Sequence, residues 1–239
     1  MLENNQQTYV SGSGSYEARF AVSAVLKNVY LWMTMALLIS GLTAMVVAGN
    51  AELVNKLFAN GGTLLVLFLV QFGLIWAISA RIGRMSSVTA TLLFLLYSVI
   101  TGVTLSSIFL VFTMESLASV FFITAGTFAA VSIYGFITKK DLSTWRSYLL
   151  MGLIGVIIAS VVNWFLASET LYWIVSYVGV ALFVGLTAYD TQKIKTLASE
   201  SYMYDDETRN KVALMGAITL YLDFINLFLY ILRIFGKRK

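Results

Sequence analysis

The sequence has no cysteine, no histidine and no proline among its 239 residues, and each absence excludes a kind of chemistry. Without cysteine there are no disulfides, thiolate metal sites or cysteine nucleophiles. Without histidine there is no imidazole base or histidine pH switch, so any pH sensing near neutrality must come from carboxylates. Without proline, kinks in helices have to come from glycine or from inserted polar groups.

Charge is also scarce, since 12% of the residues are charged whereas a soluble domain carries about 25%. Hydrophobic residues make up 59% of the chain, which is too apolar for a water-exposed surface or for a disordered chain. A soluble enzyme is therefore not expected. The net charge of +4 lies in short clusters, which indicates membrane topology and not nucleic-acid binding.

Seven apolar runs follow a polar, Gly/Ser-rich segment at the N-terminus. We interpret residues 1–24 as a flexible tail and residues 25–239 as a single transmembrane domain. Each run can cross about 30 Å of hydrocarbon as a helix, and none has the strict alternation of a membrane barrel. The sequence therefore predicts an all-α integral membrane protein with a seven-helix bundle. The runs cover residues 26–48, 62–80, 88–114, 117–138, 147–167, 170–189 and 213–235.

Basic residues alternate between the segments that connect these runs. They collect before the first run and after the second, fourth and sixth, whereas the other connections hold Lys56 or no basic residue. The positive-inside rule then places the N-terminus in the cytoplasm of a multi-pass protein of the cell (inner) membrane. Seven spans leave the basic tail 237–239 outside, so either the last run is a re-entrant hairpin or the inner segments outweigh the tail. We favour seven spans.

Two aspartates lie at membrane depth, where an ionisable group is costly and marks a candidate functional site. Asp223 lies about ten residues into the last run, and Asn226 is one turn further along the same face. Asp190 ends the sixth run, and a helix that continues past it would bury it more deeply. The alternative for Asp223 is a structural hydrogen-bond anchor, and the alternative for Asp190 is a carboxylate at the edge of a loop.

The predicted topology brings two arginines to the same end of the bundle. The second run ends at Arg81 and Arg84, so two carboxylates and a guanidinium could meet in one site. Such a group titrates as a coupled unit, because burial, like charge and opposite charge all act on the same protons. For each arginine alone, the alternative is anchoring at the membrane surface.

Three segments together resemble the Bax inhibitor-1 (transmembrane Bax inhibitor motif) family in its bacterial form. They are 139–143 (KKDLS), 185–195 (GLTAYDTQKIK) and 220–228 (LYLDFINLF), and the resemblance covers nearly the whole hydrophobic chain. It implies a seven-helix fold in which the last helix is central and is wrapped by the other six. Each segment alone is a weak match to the family. Because the three occur in order on seven hydrophobic runs, together they form a more specific match.

The resemblance also implies a function, namely a pH-sensitive calcium leak channel or exchanger. Asp190 and Asp223 would form the pH sensor and contact calcium transiently, and an arginine of the second helix would latch one of them. Counting back from Gly102 without gaps favours Arg84 as the latch, whereas Arg81 lies deeper in the span. Both arginines therefore stay candidates. An acidic residue found in the second helix of some relatives is missing here, where residues 70–73 read VQFG.

Further polar groups could support such an ion path, because calcium prefers six to eight oxygen ligands. Tyr189, Gln192 and Asn226 are the candidates, beside hydroxyls, carbonyls and water. No resident cofactor is expected, and calcium enters as the transported ion. The expected partners are the lipid bilayer, calcium and protons, and nucleic acid is not among them.

Two other functions compete with transport. Some bacterial relatives associate with a membrane protease, so the chain could be a non-transporting regulator of a protease or secretion complex. Intramembrane aspartyl proteases also pair aspartates on adjacent helices, one of them after a tyrosine, as in Tyr189-Asp190. Those proteases carry Gly-x-Gly-Asp and a proline motif, whereas this chain reads Tyr221-Leu222-Asp223 and has no proline. An enzyme is therefore not predicted.

Overall fold

The computed structural model describes the backbone of residues 2–58 and 61–239 and the side chains of residues 22–58, 62–201 and 203–239. Within that part of the chain, almost all residues are α-helical. The helices are α1 (Leu2–Ala48), α2 (Ala51–Phe58), α3 (Gly61–Arg81), α4 (Ser87–Val111), α5 (Met114–Ile137), α6 (Arg146–Leu166), α7 (Glu169–Glu200) and α8 (Asp206–Phe235). Most of residues 1–24 fall within the bounds of α1, but their side chains up to position 21 lie outside the described residues, so the flexibility of this tail stays a prediction.

Among the described residues, seven helices are long and apolar enough to cross a membrane. They are α1 and α3 to α8, so the predicted all-α multi-pass bundle is confirmed. The short α2 buries no residue and carries an exposed ion pair between Glu52 and Lys56. It connects the first two spans and does not add an eighth.

The last two spans extend well beyond the apolar runs that predicted them. The sixth run ends at position 189, yet α7 continues to Glu200, and α8 begins at Asp206 and not at 213. Polar residues interrupt the apolar pattern here, but the helix stays packed because Ile194 contacts α8 at Gly216. The expectation that a helix continues past Asp190 is confirmed, and that residue lies well inside α7.

The C-terminal helix α8 lies at the centre of the bundle. It packs against α1, α4, α5 and α7, and Leu220, Tyr221 and Leu227 on it are fully buried. The predicted central position of the last helix is therefore confirmed. The outer helices differ from the expectation that all six wrap α8, because α3 packs on α4 and α6 packs on α7.

Two glycines mark the closest approaches between helices. A Cβ atom on Gly102 of α4 would lie 2.6 Å from the backbone oxygen of Ser40 on α1. A Cβ atom on Gly135 of α5 would overlap the backbone oxygen of Ala188 on α7. Because neither glycine has a side chain, α4 can pack closely on α1 and α5 can pack closely on α7.

One end of the bundle, which we call the basic end, consists of the segments 82–86, 138–145 and 201–205. The backbone N–H and the hydroxyl of Ser87 donate to the carboxylate of Glu207 at 2.7 and 2.8 Å, which joins α4 to the start of α8. The side chain of Gln192 accepts from the Leu142 N–H and donates to the Lys140 carbonyl, both at 2.8 Å. These bonds join the α5–α6 segment to α7.

The C-terminal tail docks at the opposite end of the bundle. Residues after α8 pair with the α4–α5 connection, since the Thr113 N–H donates to the Lys237 carbonyl and the Lys239 N–H donates to the Val111 carbonyl. The span of α1 begins at the basic end, while α8 runs unbroken to this opposite end. The re-entrant alternative for the last run is therefore wrong, and an odd number of spans is confirmed. The cytoplasmic side of the N-terminus stays a prediction.

Candidate functional site: a buried aspartate pair

The structure brings Asp190 of α7 and Asp223 of α8 together in the core. Their side chains are 8% and 5% exposed, and the two carboxylates are close enough for their charges to interact. They lie on α7 and α8, which pack extensively against each other. We call them the aspartate pair. Neither is a carboxylate at the edge of a loop.

The aspartate pair is short of partners. The Oδ2 atom of Asp223 has no hydrogen-bond partner among the described residues. In the same part of the chain, no ion pair joins either aspartate to a basic side chain. Lys193, one turn along α7 and exposed, is the cation whose charge reaches Asp190. An unpartnered buried carboxylate costs several kcal/mol when ionised, so this arrangement is costly unless another group or an ion relieves it.

Two buried hydroxyl groups meet between α5 and α7, one of them on the residue next in sequence to Asp190. Thr191 and Ser132 are both buried, and their hydroxyl oxygens lie 3.5 Å apart. They meet because Gly135, one turn from Ser132, lets α5 approach the backbone of α7 at Ala188. The sequence pattern alone does not distinguish these hydroxyls from other serines and threonines of the apolar runs. The available signal was the spacing of Ser132 and Gly135 on one face of an apolar helix.

The two latch candidates lie apart from the aspartate pair. Arg81 and Arg84 are exposed at the end of α3, which packs on α4 and not on α7. Within the described part of the chain, neither arginine forms an ion pair with Asp190. Their role as a latch stays a prediction.

The three residues expected to support an ion path have other partners in the structure. Asn226 donates to the Leu222 carbonyl of its own helix at 2.8 Å. Tyr189 packs in the apolar cluster between α6 and α7, and Gln192 holds the α5–α6 segment, as described above. A role for Tyr189, Gln192 and Asn226 along a path stays a prediction.

A resident metal ion does not fit these residues. The described residues hold no group of three or more acidic, cysteine or histidine side chains that could bind a metal ion. Calcium takes six to eight oxygen ligands, which two carboxylates and a few hydroxyls do not provide without water. Contact of Asp190 and Asp223 with calcium stays a prediction.

A second polar cluster lies on the other side of α8, and we call it the Tyr221 cluster (Tyr221, Ser40 and Ser98). The Ser40 hydroxyl lies 2.7 Å from the Tyr221 hydroxyl and 2.8 Å from the Ser98 carbonyl. It also reaches the Ala36 carbonyl at 2.9 Å. Since carbonyls only accept and Ser40 has one proton, Tyr221 donates to Ser40. The phenol is thereby satisfied in the core.

Gln71 of α3 is a buried amide that ties α3 to α4. Its Nε2 donates to the Thr101 hydroxyl at 2.9 Å, and its Oε1 accepts from the Thr104 hydroxyl at 3.2 Å. The side chain is buried and neutral. It acts as a bond between helices and adds no charge to the core.

Comparison with known proteins decides the family. The model of the family described as inhibitor of apoptosis-promoting Bax1 matches residues 22–239. The chain belongs to the Bax inhibitor-1 family. The resemblance drawn from segments 139–143, 185–195 and 220–228 is therefore confirmed.

Relatives of this family member come from several bacteria. The inner membrane protein YbhL of Escherichia coli is 48% identical over 223 residues, which cover 93% of this chain and 95% of the relative. A protein of Borreliella burgdorferi is 47% identical over a region that covers 90% of this chain and 92% of the relative. Protein RP147 of Rickettsia prowazekii is 41% identical, with 89% of each chain covered. With seven apolar helices and such relatives, this Bax inhibitor-1 family member is a multi-pass inner membrane protein.

Proposed function

We propose that this family member is a pH-sensitive leak pathway for cations, with calcium as the first candidate, and that the aspartate pair is its gate. The observation that carries the proposal is a pair of buried carboxylates without an ion-pair partner, one of which has an unbonded oxygen. A proton or a divalent cation would each relieve the cost of this arrangement. Exchange between the two links ion passage to pH.

The gate would be one unit and not two independent sensors. Asp190 and Asp223 are close enough for their charges to interact, and Lys193 lies one turn along α7 from Asp190. Interacting carboxylates lose their protons in steps that belong to the pair. The chain has no histidine that could take over the response near neutral pH.

The test is calcium flux into liposomes that contain only the purified protein, measured from about pH 5.5 to about pH 8. We expect flux in the wild type that changes with pH, and we expect Asp190→Asn and Asp223→Asn each to remove most of that change. The double variant should do no more than either single one, because coupled residues are not additive. Asp141→Asn, at an exposed carboxylate of the basic end, is the matched control and should keep the wild-type profile.

A wild-type pH profile in both single variants would overturn the gate and leave Asp223 as a structural anchor. Flux no greater than in protein-free liposomes would favour the non-transporting regulator. Cleavage of a reporter helix, lost in both single variants, would instead revive the protease. We propose transport over hydrolysis, because the second aspartate follows Tyr221-Leu222 and not Gly-x-Gly.

We extend the proposal to the latch, in which Arg81 or Arg84 holds the closed state by pairing with Asp190. The pairing requires a conformation different from this structure, because both arginines are exposed at the end of α3. One of the two single variants, Arg81→Ala or Arg84→Ala, should raise the leak and shift its pH profile. The other should match the wild type. Arg146→Ala, at another exposed arginine of the basic end, is the control. Two single variants that both match the wild type would remove the latch from the proposal.

A further inference from the structure

A long apolar groove lies between α1 and α5, with α8 as its floor. Its volume is about 1400 Å³, larger than the roughly 300–1,000 Å³ of common small-molecule pockets. On α1 it extends from Val22 to Met45, which corresponds to about 35 Å of helix. The groove therefore runs through the full hydrocarbon depth of a bilayer, about 30 Å.

The floor and walls of the groove are mostly hydrocarbon. Phe224 and Phe228 of α8 form part of the floor, and Phe121 and Phe128 of α5 face it from one side. Such a surface offers dispersion contacts to a flexible chain and almost no hydrogen bonds. Its length and its composition both suit an acyl chain.

The basic end of the groove carries a fixed cation. Lys195 of α7 is the one charged residue that lines the groove among the described residues. Its ammonium group donates to the Phe136 carbonyl at 2.7 Å and lies 4.9 Å above the ring of the same residue. An ammonium group has three N–H donors, so two remain for a ligand. Ser199, one turn along α7, also lines the groove beside Lys195.

A second cation lies at the lip of the groove. Lys27 of α1 is exposed, and it is four residues from Ser23 and three from Tyr30, which both line the groove. Residues at these spacings share a helix face, so Lys27 is on the groove side of α1. Two ammonium groups thus flank the basic end of an apolar channel.

We propose that this groove binds an anionic glycerophospholipid, with an acyl chain between α1 and α5 and its phosphate at Lys195. The argument is charge complementarity, because a basic pocket between transmembrane helices selects anionic headgroups. The outer face of α6 is a useful contrast. It exposes Ile154, Ile157 and Ile158 to the membrane by more than half of their surface, but none of them lines the groove. That face should meet bulk lipid without selection.

The absence of cysteine permits a direct test by fluorescence quenching. Ala129→Cys places a bimane label on the α5 wall, and Ile154→Cys places one on the outer face of α6. The two positions are matched in depth, since each lies eight residues from the end of its helix at the basic end, Ile137 for α5 and Arg146 for α6. The labelled full-length protein is placed in phosphatidylcholine vesicles that contain brominated phosphatidylglycerol or, in parallel, brominated phosphatidylcholine.

We expect the label on Ala129→Cys to report about five-fold enrichment of brominated phosphatidylglycerol over brominated phosphatidylcholine. The label on Ile154→Cys should be quenched equally by both lipids. Lys195→Gln should remove the enrichment at the groove, whereas Lys193→Gln, on the opposite face of α7, should keep it. Lys27→Gln should reduce it.

Three outcomes would overturn the proposal. Equal quenching by both lipids at Ala129→Cys would show that the groove meets bulk lipid without headgroup selection. Enrichment that survives in Lys195→Gln would separate the groove from that cation. Weaker quenching at Ala129→Cys than at Ile154→Cys with both lipids would show that protein covers the groove, as in a complex of two copies. None of these readouts depends on ion flux, so the proposal stands or fails apart from the proposed function.

Discussion

Two sides of α8 each carry a buried polar cluster, and the clusters differ in whether their polar atoms are satisfied. The Tyr221 hydroxyl bonds to Ser40, and its ring makes edge-to-face contacts with Phe94 and Tyr97 at centroid distances of 5.6 and 6.0 Å. Asp223, two residues along the same helix, keeps an oxygen without a partner. The same central helix therefore holds one complete polar cluster and one incomplete one.

This difference indicates that the Tyr221 cluster has a structural role, whereas the aspartate pair has the proposed functional one. A buried polar group that is fully bonded fixes one arrangement of helices, because breaking it leaves an unsatisfied partner. A buried carboxylate without partners costs stability, and such a cost persists at sites where the group has another task. We therefore expect the Tyr221 side of α8 to govern stability and the aspartate side to govern the response to pH.

The largest effect should come from Tyr221→Ala. Removing a fully buried ring leaves a cavity and an unbonded Ser40, so unfolding should become easier by about 3–5 kcal/mol, measured as a fall in the thermal midpoint in detergent. Tyr221→Phe keeps the ring and should cost about 1 kcal/mol. Asp223→Asn should leave the midpoint unchanged or raise it. A loss in Asp223→Asn as large as in Tyr221→Ala would erase the distinction between the two sides.

A smaller effect should come from the glycines that let α4 and α5 approach. Gly102→Ala forces α4 away from Ser40, and Gly135→Ala forces α5 away from Ala188, so each should cost about 1–3 kcal/mol of stability. Gly155→Ala, where nothing lies within 4 Å, is the control and should be neutral or slightly stabilising. In the flux assay, Gly135→Ala should change the pH profile and Gly102→Ala should not. The reverse pattern would place the pH response on the wrong side of α8.

The smallest effect should come from Asp205, an exposed carboxylate that caps the start of α8. The side chain and the backbone N–H of Thr208 bond to it, the latter at 3.0 Å, and these bonds hold the pKa of Asp205 below its usual value. Its stabilising effect is therefore present above the unfolded pKa of about 3.9 and is lost as the pH falls through the folded pKa. Asp205→Ala should lower the thermal midpoint slightly at neutral pH and not in strong acid. A pH-dependent flux altered by this variant would contradict the assignment of the response to the aspartate pair.

The sequence predicted the two buried carboxylates better than the groups that surround them. Two carboxylates in apolar runs were visible because an aspartate is rare at that depth. The hydroxyls of Ser132 and Thr191 were not visible, because serine and threonine are common in membrane helices and carry no charge. The exposure of Arg81 and Arg84 was also not predicted. The alternation of basic segments shows at which end of the bundle the arginines lie, but not how far they are from the aspartate pair.

By itself, the sequence determined the number of spans, the helical class and the two acidic positions, because hydrophobicity and charge are local properties that the membrane sorts one segment at a time. Tertiary structure alone decided the rest. It extended α7 past Asp190, since packing of Ile194 against Gly216 stabilises a helix whose sequence there is polar. It also paired Tyr221 with Ser40 and docked the C-terminal tail on the α4–α5 connection, contacts between residues more than a hundred positions apart. Such contacts depend on how helices pack together, which no single segment specifies.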